Sequence, residues 1–494
     1  MNAPTKPPLA YDWYDTDLAT IPYLKRFVTF LESPVSIYSP VSDFPLQRKN
    51  QDGIWLLIGK INNVRVALIW NDFRISGGSF GKSNANRMLR FIEEIKQHRL
   101  PLIIGINSMG VRISEGRTLF DTAFSLIPAI EEYKSVGKVY TIATGNCFGL
   151  GAILFGLGHY RIAIRDSAKI NLTGPEVFTL FFGKSVDFDQ LSDVATQNKR
   201  TNLVSEICID LQSGFSKILQ LLNYESGRLE SISFDSSKDN LVTGLHLKTA
   251  TPSSHIAAYD LLHEFTDGFI RLFSSFDDKL MVFLAHLDGQ KIGVLINPLG
   301  NSDNMIGERT LSLYREALLY FRALKLPLLS ILDTPGADPR VQPENYHILE
   351  NIISVARLIY EYPHKKMGIG SGRCFGGACI LSVPKIFGGK ASYALPNTDV
   401  GIMHPKIITQ LLSGSNRLLT QWQQSEVMQT GDLKDMIIEG SIDAVIQPQD
   451  IRTCIKGHLL QSADSGKFMV DAASRYLPTI SRHPQHEVQG DHLS

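Results

Sequence analysis

The chain has no excess of charge of either sign. Lys and Arg together number 49, as do Asp and Glu, so the formal net charge is zero. No nucleic-acid or anionic-membrane partner is expected from that balance, and a polyanionic ligand is left only a local patch. Cysteine is scarce: Cys147, Cys208, Cys374, Cys379 and Cys454, none in a Cys-x-x-Cys pair. A zinc ribbon is therefore not expected, nor any other metal site. An odd number of cysteines in a large chain reads as reduced thiols in a cytoplasmic setting. Uninterrupted apolar runs are missing too. The most apolar stretch, Val139 to Ile164, is broken by Asn146, His159, Arg161 and five glycines. It reads as a buried strand, loop and helix rather than a membrane span. Met1 to Tyr14 is Pro-rich and polar and lacks the basic-then-apolar pattern of a secretion signal. Several familiar chemical motifs are absent. GGSFGKS at Gly77–Ser83 does not have P-loop spacing, and neither G-x-S-x-G nor H-E-x-x-H occurs. The 13 histidines are scattered, and His159 and His404 read as packing or surface residues.

What is present is an ordinary soluble composition, 44% hydrophobic and 20% charged, over 494 residues. That length accommodates two or three domains. Strand-like and helix-like segments alternate in two regions, from about Gly53 to Leu222 and from about Ile256 to Leu460. This is the pattern of α/β units. The expected organisation is one domain over 15–224, a polar linker over 225–255, a second domain over 256–478, and a disordered tail over 479–494.

The two regions resemble each other. PLIIGINSMG at Pro101–Gly110 and PLLSILDTPG at Pro327–Gly336 both read as a strand running into a glycine turn. Each is followed by a helical segment, an apolar run and a near-identical turn, NCFGLGA at Asn146–Ala152 and RCFGGAC at Arg373–Cys379. Pro101 to Cys147 is 46 positions and Pro327 to Cys374 is 47. Order and spacing shared at two points argue for an internal duplication. INLTGPEV at Ile170–Val177 and YALPNTDVGIM at Tyr393–Met403 continue the correspondence more loosely.

The repeated turn is the chemical feature. CFGG at Cys374–Gly377 comes after an apolar strand over Lys366–Ser371 and is expected to open an apolar helix. Glycines let backbone approach a ligand closely. The first N–H groups of a helix have no intrahelical partner and favour negative charge. Two adjacent N–H groups can hold a developing oxyanion. Tight strand–helix packing would also need small residues there. Asp333 in DTPG reads as a ligand contact or a turn cap. Arg112 and Glu115 in GVRISEG read as a phosphate contact or as partners of each other.

Taken in order, GGSFG, INSMGVRISEG, GNCFGLGA and INLTGPEV resemble the N-terminal half of biotin-dependent acyl-CoA carboxylase carboxyltransferase subunits. IGVLINPLGNSDNMIGERT, LSILDTPGADPR, GRCFGGAC, YALPNTDVGIMHP and GSIDAVIQPQDIR resemble the C-terminal half. The likeness covers about Gly53 to Arg452, and related malonate decarboxylase subunits share some of these turns. The resemblance implies two crotonase-like domains, a dimer-based homo-oligomer such as a hexamer, and acyl-CoA as substrate. It also implies carboxybiotin on a separate carrier protein, with biotin carboxylase on another chain. Neither a Met-Lys-Met attachment site nor an ATP-grasp pattern occurs here. The oxyanion donors it implies are Gly149 and Leu150 in the first half and Gly377 and Ala378 in the second. Gly110, Arg112, Glu115, Gly376 and Ile380 are the implied substrate-side residues. In such sites fixed dipoles, rather than a side-chain base, stabilise the charge on the biotin ureido oxygen and on the thioester enolate.

The sequence departs from the family where Met109 and Leu150 stand in place of glycines, and where 193–207 lacks histidine. Three readings are compatible with this pattern: a carboxylase subunit, a malonyl-thioester decarboxylase subunit, and a non-catalytic assembly subunit.

Overall fold

The computed structural model describes residues 52–61, 64–183, 187–229, 255–275, 279–298, 303–340, 346–396, 398–403, 407–408, 410–411 and 433–460, together with the backbone of 36–37. The N-terminal segment, most of the expected linker, His404 and the tail lie outside the described residues.

Strands of the first half are β1 (Ser36–Ile37), β2 (Ile54–Ile61), β3 (Val64–Asn71), β4 (Leu102–Ser108), β5 (Val139–Phe148), β6 (Tyr160–Ile164), β7 (Lys169–Asn171) and β8 (Glu206–Cys208). Those of the second half are β9 (Gly268–Leu272), β10 (Met281–Leu287), β11 (Gln290–Ile296), β12 (Leu328–Thr334), β13 (Lys366–Phe375), β14 (Ser392–Ala394), β15 (Asp399–Gly401) and β16 (Ala444–Val445). The first sheet runs β1-β2-β3-β4-β5-β6-β8, with β7 on the end of β5. The second runs β9-β10-β11-β12-β13-β14-β16, with β15 on the end of β13. Each begins with antiparallel pairs and continues in parallel. Position by position the order is the same, which is the duplication seen in the sequence.

The central strands are continuous apolar runs because both faces are covered. On one face of the first sheet Ile69, Ile104, Ile106 and Ala143 pack with α1 (Lys82–His98), α2 (Leu126–Tyr133) and α3 (Leu150–Gly156) through Phe91, Ile92, Ile130 and Leu154. After α4 (Pro175–Phe182), α5 (Leu211–Ser226) covers the other face. There Trp70, Ile142 and Ile162 meet Phe215 and Ile218 in a core that continues into the second half. Asp210 caps α5 by accepting the Ser213 N–H at 2.7 Å. The expected domain boundary at 224 falls in the last turn of this helix.

In the second half α6 (His255–Phe265) and α9 (Ile451–Ile455) cover the outer face of the sheet, with α7 (Glu308–Ala323) and α8 (Ile348–Tyr360) between them in the chain. Tyr314, Ala317 and Phe321 of α7 join the shared core. The halves are also tied by polar contacts. Arg161 of β6, 7% exposed, pairs with Glu316 of α7 at 2.7 Å. The Tyr160 hydroxyl accepts the Phe273 N–H at 3.1 Å and donates to Glu206 at 2.7 Å. A buried charge kept in such a net is costly to unpair, so these contacts fix the mutual placement of the halves.

Candidate active site

The two turns are alike in their bonding. At the ends of β4 and β12 the pairing to the next strand slips by a bulge, and Ser108 faces Cys147 as Thr334 faces Cys374. The Ser108 hydroxyl accepts the Gly110 N–H at 3.1 Å, and the Thr334 hydroxyl accepts the Gly336 N–H at 3.2 Å. Both glycines have positive φ, 100° and 126°. Their carbonyls take the N–H groups of Phe80 and Ile306. Gly110 thus serves as scaffold: a Cβ there would lie 3.2 Å from the Phe148 carbonyl oxygen.

Next, β5 and β13 each run into a glycine of positive φ, Gly149 at 55° and Gly376 at 65°. A Cβ on Gly376 would approach the Ile402 carbonyl oxygen to 3.4 Å. So these are the glycines of the turn, and Gly377 is the counterpart of Leu150, Ala378 of Gly151. The departure from the family at Leu150 is therefore harmless to the backbone: Leu150 occupies the first helical position, where any residue fits. Met109 is likewise spared, since the positive φ falls on Gly110.

The expectation for Gly149 is corrected. Its N–H donates to the Leu172 carbonyl at 3.1 Å and is not turned outward. Among the described residues the N–H groups of Leu150 and Gly151 make no backbone hydrogen bond. They stand in register with Gly377 and Ala378. In the second half the strand runs to Phe375, beyond the expected Ser371, and leads into a 3-10 turn over Gly376–Ser382 rather than an α-helix. Val383 at φ 56° and Pro384 stop it. A 3-10 turn leaves the N–H groups of its first two residues, here Gly376 and Gly377, without internal partners, and its third reaches only toward the N-cap carbonyl. Nothing lies within 4 Å of where a Cβ on Gly377 would be, so a ligand has room there. Ile380 is half-buried and packs against the shared core.

Of the two readings open for Arg112 and Glu115, the structure shows the mutual pair, built into the scaffold. Arg112 donates to the Ser79 hydroxyl at 3.2 Å, the Ser79 carbonyl at 3.2 Å, the Asp52 carbonyl at 3.1 Å and Glu115 at 3.3 Å. Glu115 also accepts the Lys82 N–H at 2.6 Å, capping α1. Sequence reasoning gave no role to Asn107, the counterpart of Asp333. Its Oδ1 accepts the Asn146 N–H at 3.0 Å, as Asp333 Oδ1 accepts the Arg373 N–H at 2.9 Å. The signal was the aligned pair NSMG and DTPG. A cavity of about 230 Å³ opens on the α5 side of the first sheet, lined in part by Trp55, Trp70, Asn107, Thr144 and Leu211.

The cysteines at the two turns are not held as thiolates. Burial pushes the Cys147 and Cys374 thiols far up, and Cys379 up to about 11. Among the described residues no group of three or more His, Cys, Asp or Glu is placed to hold a metal ion. No helix among them is long and apolar enough to cross a membrane. Each turn opens a helical segment, at Leu150 and Gly151 in the first half and at Gly377 and Ala378 in the second.

The carboxyl transferase domain family matches residues 19–467. The chain belongs to that family. It is 23% identical to the propionyl-CoA carboxylase carboxyltransferase subunit of Haloferax mediterranei, over 86% of each chain. It is also 23% identical to the mitochondrial propionyl-CoA carboxylase beta chain of Mus musculus, over 86% of this chain and 81% of that one. The transcarboxylase 12S structure, a hexamer solved with methylmalonyl-coenzyme A bound, superposes with a TM-score of 0.72 at 17% identity, covering 94% of this chain and 91% of that one. A single-chain, multi-domain long-chain acyl-CoA carboxylase gives 0.69 at 17% identity, covering 88% of this chain and 45% of that one. The fold of this family member is the two-domain, crotonase-like carboxyltransferase fold.

Proposed function

We propose that the chain is the carboxyltransferase subunit of a biotin-dependent acyl-CoA carboxylase, moving a carboxyl group to the α-carbon of an acyl thioester. The observation that carries this reading is the paired turn: Leu150–Gly151 and Gly377–Ala378 each present two adjacent N–H groups beyond a positive-φ glycine. Carboxyl transfer to an α-carbon places negative charge on two oxygens, one on each reactant. Two donor pairs answer that need without a side-chain base. The open space at Gly377 suits an anionic oxygen on a bulky carrier-borne group. Carboxybiotin, brought by a separate carrier protein, would supply the carboxyl unit.

The turns do their work by prior placement. Each is anchored by a strand bulge, a hydroxyl–N–H bond and a buried strand end, so little reorganisation accompanies charge development. Active-site completion by a second copy agrees with the apolar surface beside the first turn, where Leu172, Val177, Leu180 and Phe181 are 51–84% exposed. The test is the purified chain with malonyl-CoA or methylmalonyl-CoA and free biotin, followed for decarboxylation. Turnover supports the reading; a folded oligomer that turns over neither thioester contradicts it and favours the assembly-subunit reading.

A further inference from the structure

The bulges at the ends of β4 and β12 leave one N–H on each neighbouring strand without a ladder partner, and a side chain supplies the acceptor. In the first half it is Asn107 Oδ1, 3.0 Å from the Asn146 nitrogen. In the second it is Asp333 Oδ1, 2.9 Å from the Arg373 nitrogen. Each donor stands three residues before the positive-φ glycine, Gly149 or Gly376. A glycine precedes each donor, and the space it leaves is what the brace fills. A Cβ on Gly145 would lie 2.5 Å from Asn107 Oδ1, and one on Gly372 would lie 2.6 Å from Asp333 Cγ. A second clasp repeats as well: Thr144 Oγ1 donates to the Ile106 carbonyl at 3.3 Å, and Ser371 Oγ to the Leu332 carbonyl at 3.1 Å. The halves have diverged in most side chains, yet this brace is kept in both. They differ in charge: Asp333, 2% exposed, also receives the Arg373 Nε at 3.1 Å.

We propose that Asp333 is a positioning residue for the second turn. By accepting the Arg373 N–H across the bulge it fixes the course of the chain into Gly376 and hence the direction of the Gly377 and Ala378 N–H groups. Asn107 does the same for Leu150 and Gly151. Because an amide suffices in the first half, the acceptor oxygen is the essential element in the second, and the charge pairs Arg373. The inference rests on the carboxyltransferase reading for its kinetic consequence, but its structural core is independent of it.

Three variants separate the elements. Asp333→Ala removes the acceptor, Asp333→Asn keeps one, and Gly372→Ala displaces the carboxylate while leaving it in the chain. Amide hydrogen exchange is read over residues 373–376, with Met367–Gly370 of β13 as internal control. The expected result is a loss of protection of at least about tenfold over 373–376 in Asp333→Ala and Gly372→Ala, with the control unchanged and Asp333→Asn close to parental. In decarboxylation of malonyl-CoA with free biotin, kcat should fall up to about 100-fold in the same two variants with KM little changed, and Asp333→Asn should restore it. Parental exchange in a folded Asp333→Ala protein overturns the proposal. So does an Asp333→Asn protein that falls with Asp333→Ala, since charge rather than the acceptor would then be at work. If Asp333→Ala does not fold, Gly372→Ala carries both arms. If the parent turns over no thioester, the carboxyltransferase reading fails by itself and the exchange arm still decides the brace.

Discussion

The Gly149 N–H donates to the Leu172 carbonyl at 3.1 Å, which places the turn's own glycine among its supports, so the donor pair we propose begins one residue on. The two halves then present the same pair of positions, Leu150–Gly151 and Gly377–Ala378. Leu150 stands first in its helix, the position where proline is best tolerated. Leu150 is also a buried core side chain, so Leu150→Pro is compared with Leu150→Ala, which loses the same packing but keeps the N–H. Losing that N–H should lower thioester decarboxylation about 100-fold, as loss of one oxyanion donor does elsewhere. Parental turnover in this variant would mean that the first turn has become scaffold.

Arg112 is predicted to matter for stability and not for substrate affinity. Its guanidinium satisfies two carbonyls, a hydroxyl and a carboxylate, all within the first half. Arg112→Met should lower stability by about 2 kcal/mol, because it leaves those acceptors unpaired. KM for the thioester should stay within about twofold of the parent. A large rise in KM with an unchanged melting curve would return Arg112 to the substrate.

The duplication, the α/β class and both turns were legible in the sequence because they depend on local pattern: apolar strands, glycine positions and constant spacing. The features it hid depend on the partner of a single atom. Nothing local distinguishes a Gly149 N–H aimed at a ligand from one aimed at the carbonyl of Leu172. Arg112 could be read as a phosphate contact or as the partner of Glu115 because its acceptors at Asp52 and Ser79 are distant in the chain. The apolar run after Gly376 promised an α-helix, but Val383 and Pro384 shorten it to a 3-10 turn. Asp333 was visible as a strand-end carboxylate, whereas its equivalence to Asn107 needed the matching bulges.

Glu225 gives the protein a pH signature. Burial pushes its carboxyl up to about 7, while the Tyr140 hydroxyl that donates to it and the nearby Lys138 and Lys291 pull it the other way. Tyr320 of α7 faces the same carboxyl. Below the ordinary glutamate value of 4.5 the group is protonated in both folded and unfolded chains and costs nothing. Between there and about 7 only the unfolded chain releases the proton, so stability falls as pH rises, and above about 7 the cost is constant. Glu225→Gln should match the parent near pH 4 and exceed it by about 1–3 kcal/mol near pH 8. Parallel curves of melting temperature against pH for the two proteins would show that Glu225 is not the source.

Ile380 lies two residues beyond Ala378, half-buried against the core that joins the halves. An apolar residue there suits an apolar acyl group. Ile380→Asp should change the ratio of kcat/KM between acyl thioesters of different length more than it lowers the melting temperature. A variant that simply unfolds would assign Ile380 to the core alone.

The central claim is that backbone N–H groups at the second turn carry the chemistry, and Ala378→Pro tests it most directly. The substitution deletes the N–H of the third residue of the 3-10 turn, and its fixed φ is compatible with a first helical turn. The measurement is kcat for malonyl-CoA or methylmalonyl-CoA decarboxylation with free biotin, on protein shown by circular dichroism and mass to be folded and assembled like the parent. The account predicts a fall of at least about 100-fold. A folded, assembled Ala378→Pro protein that turns over at the parental rate would contradict it.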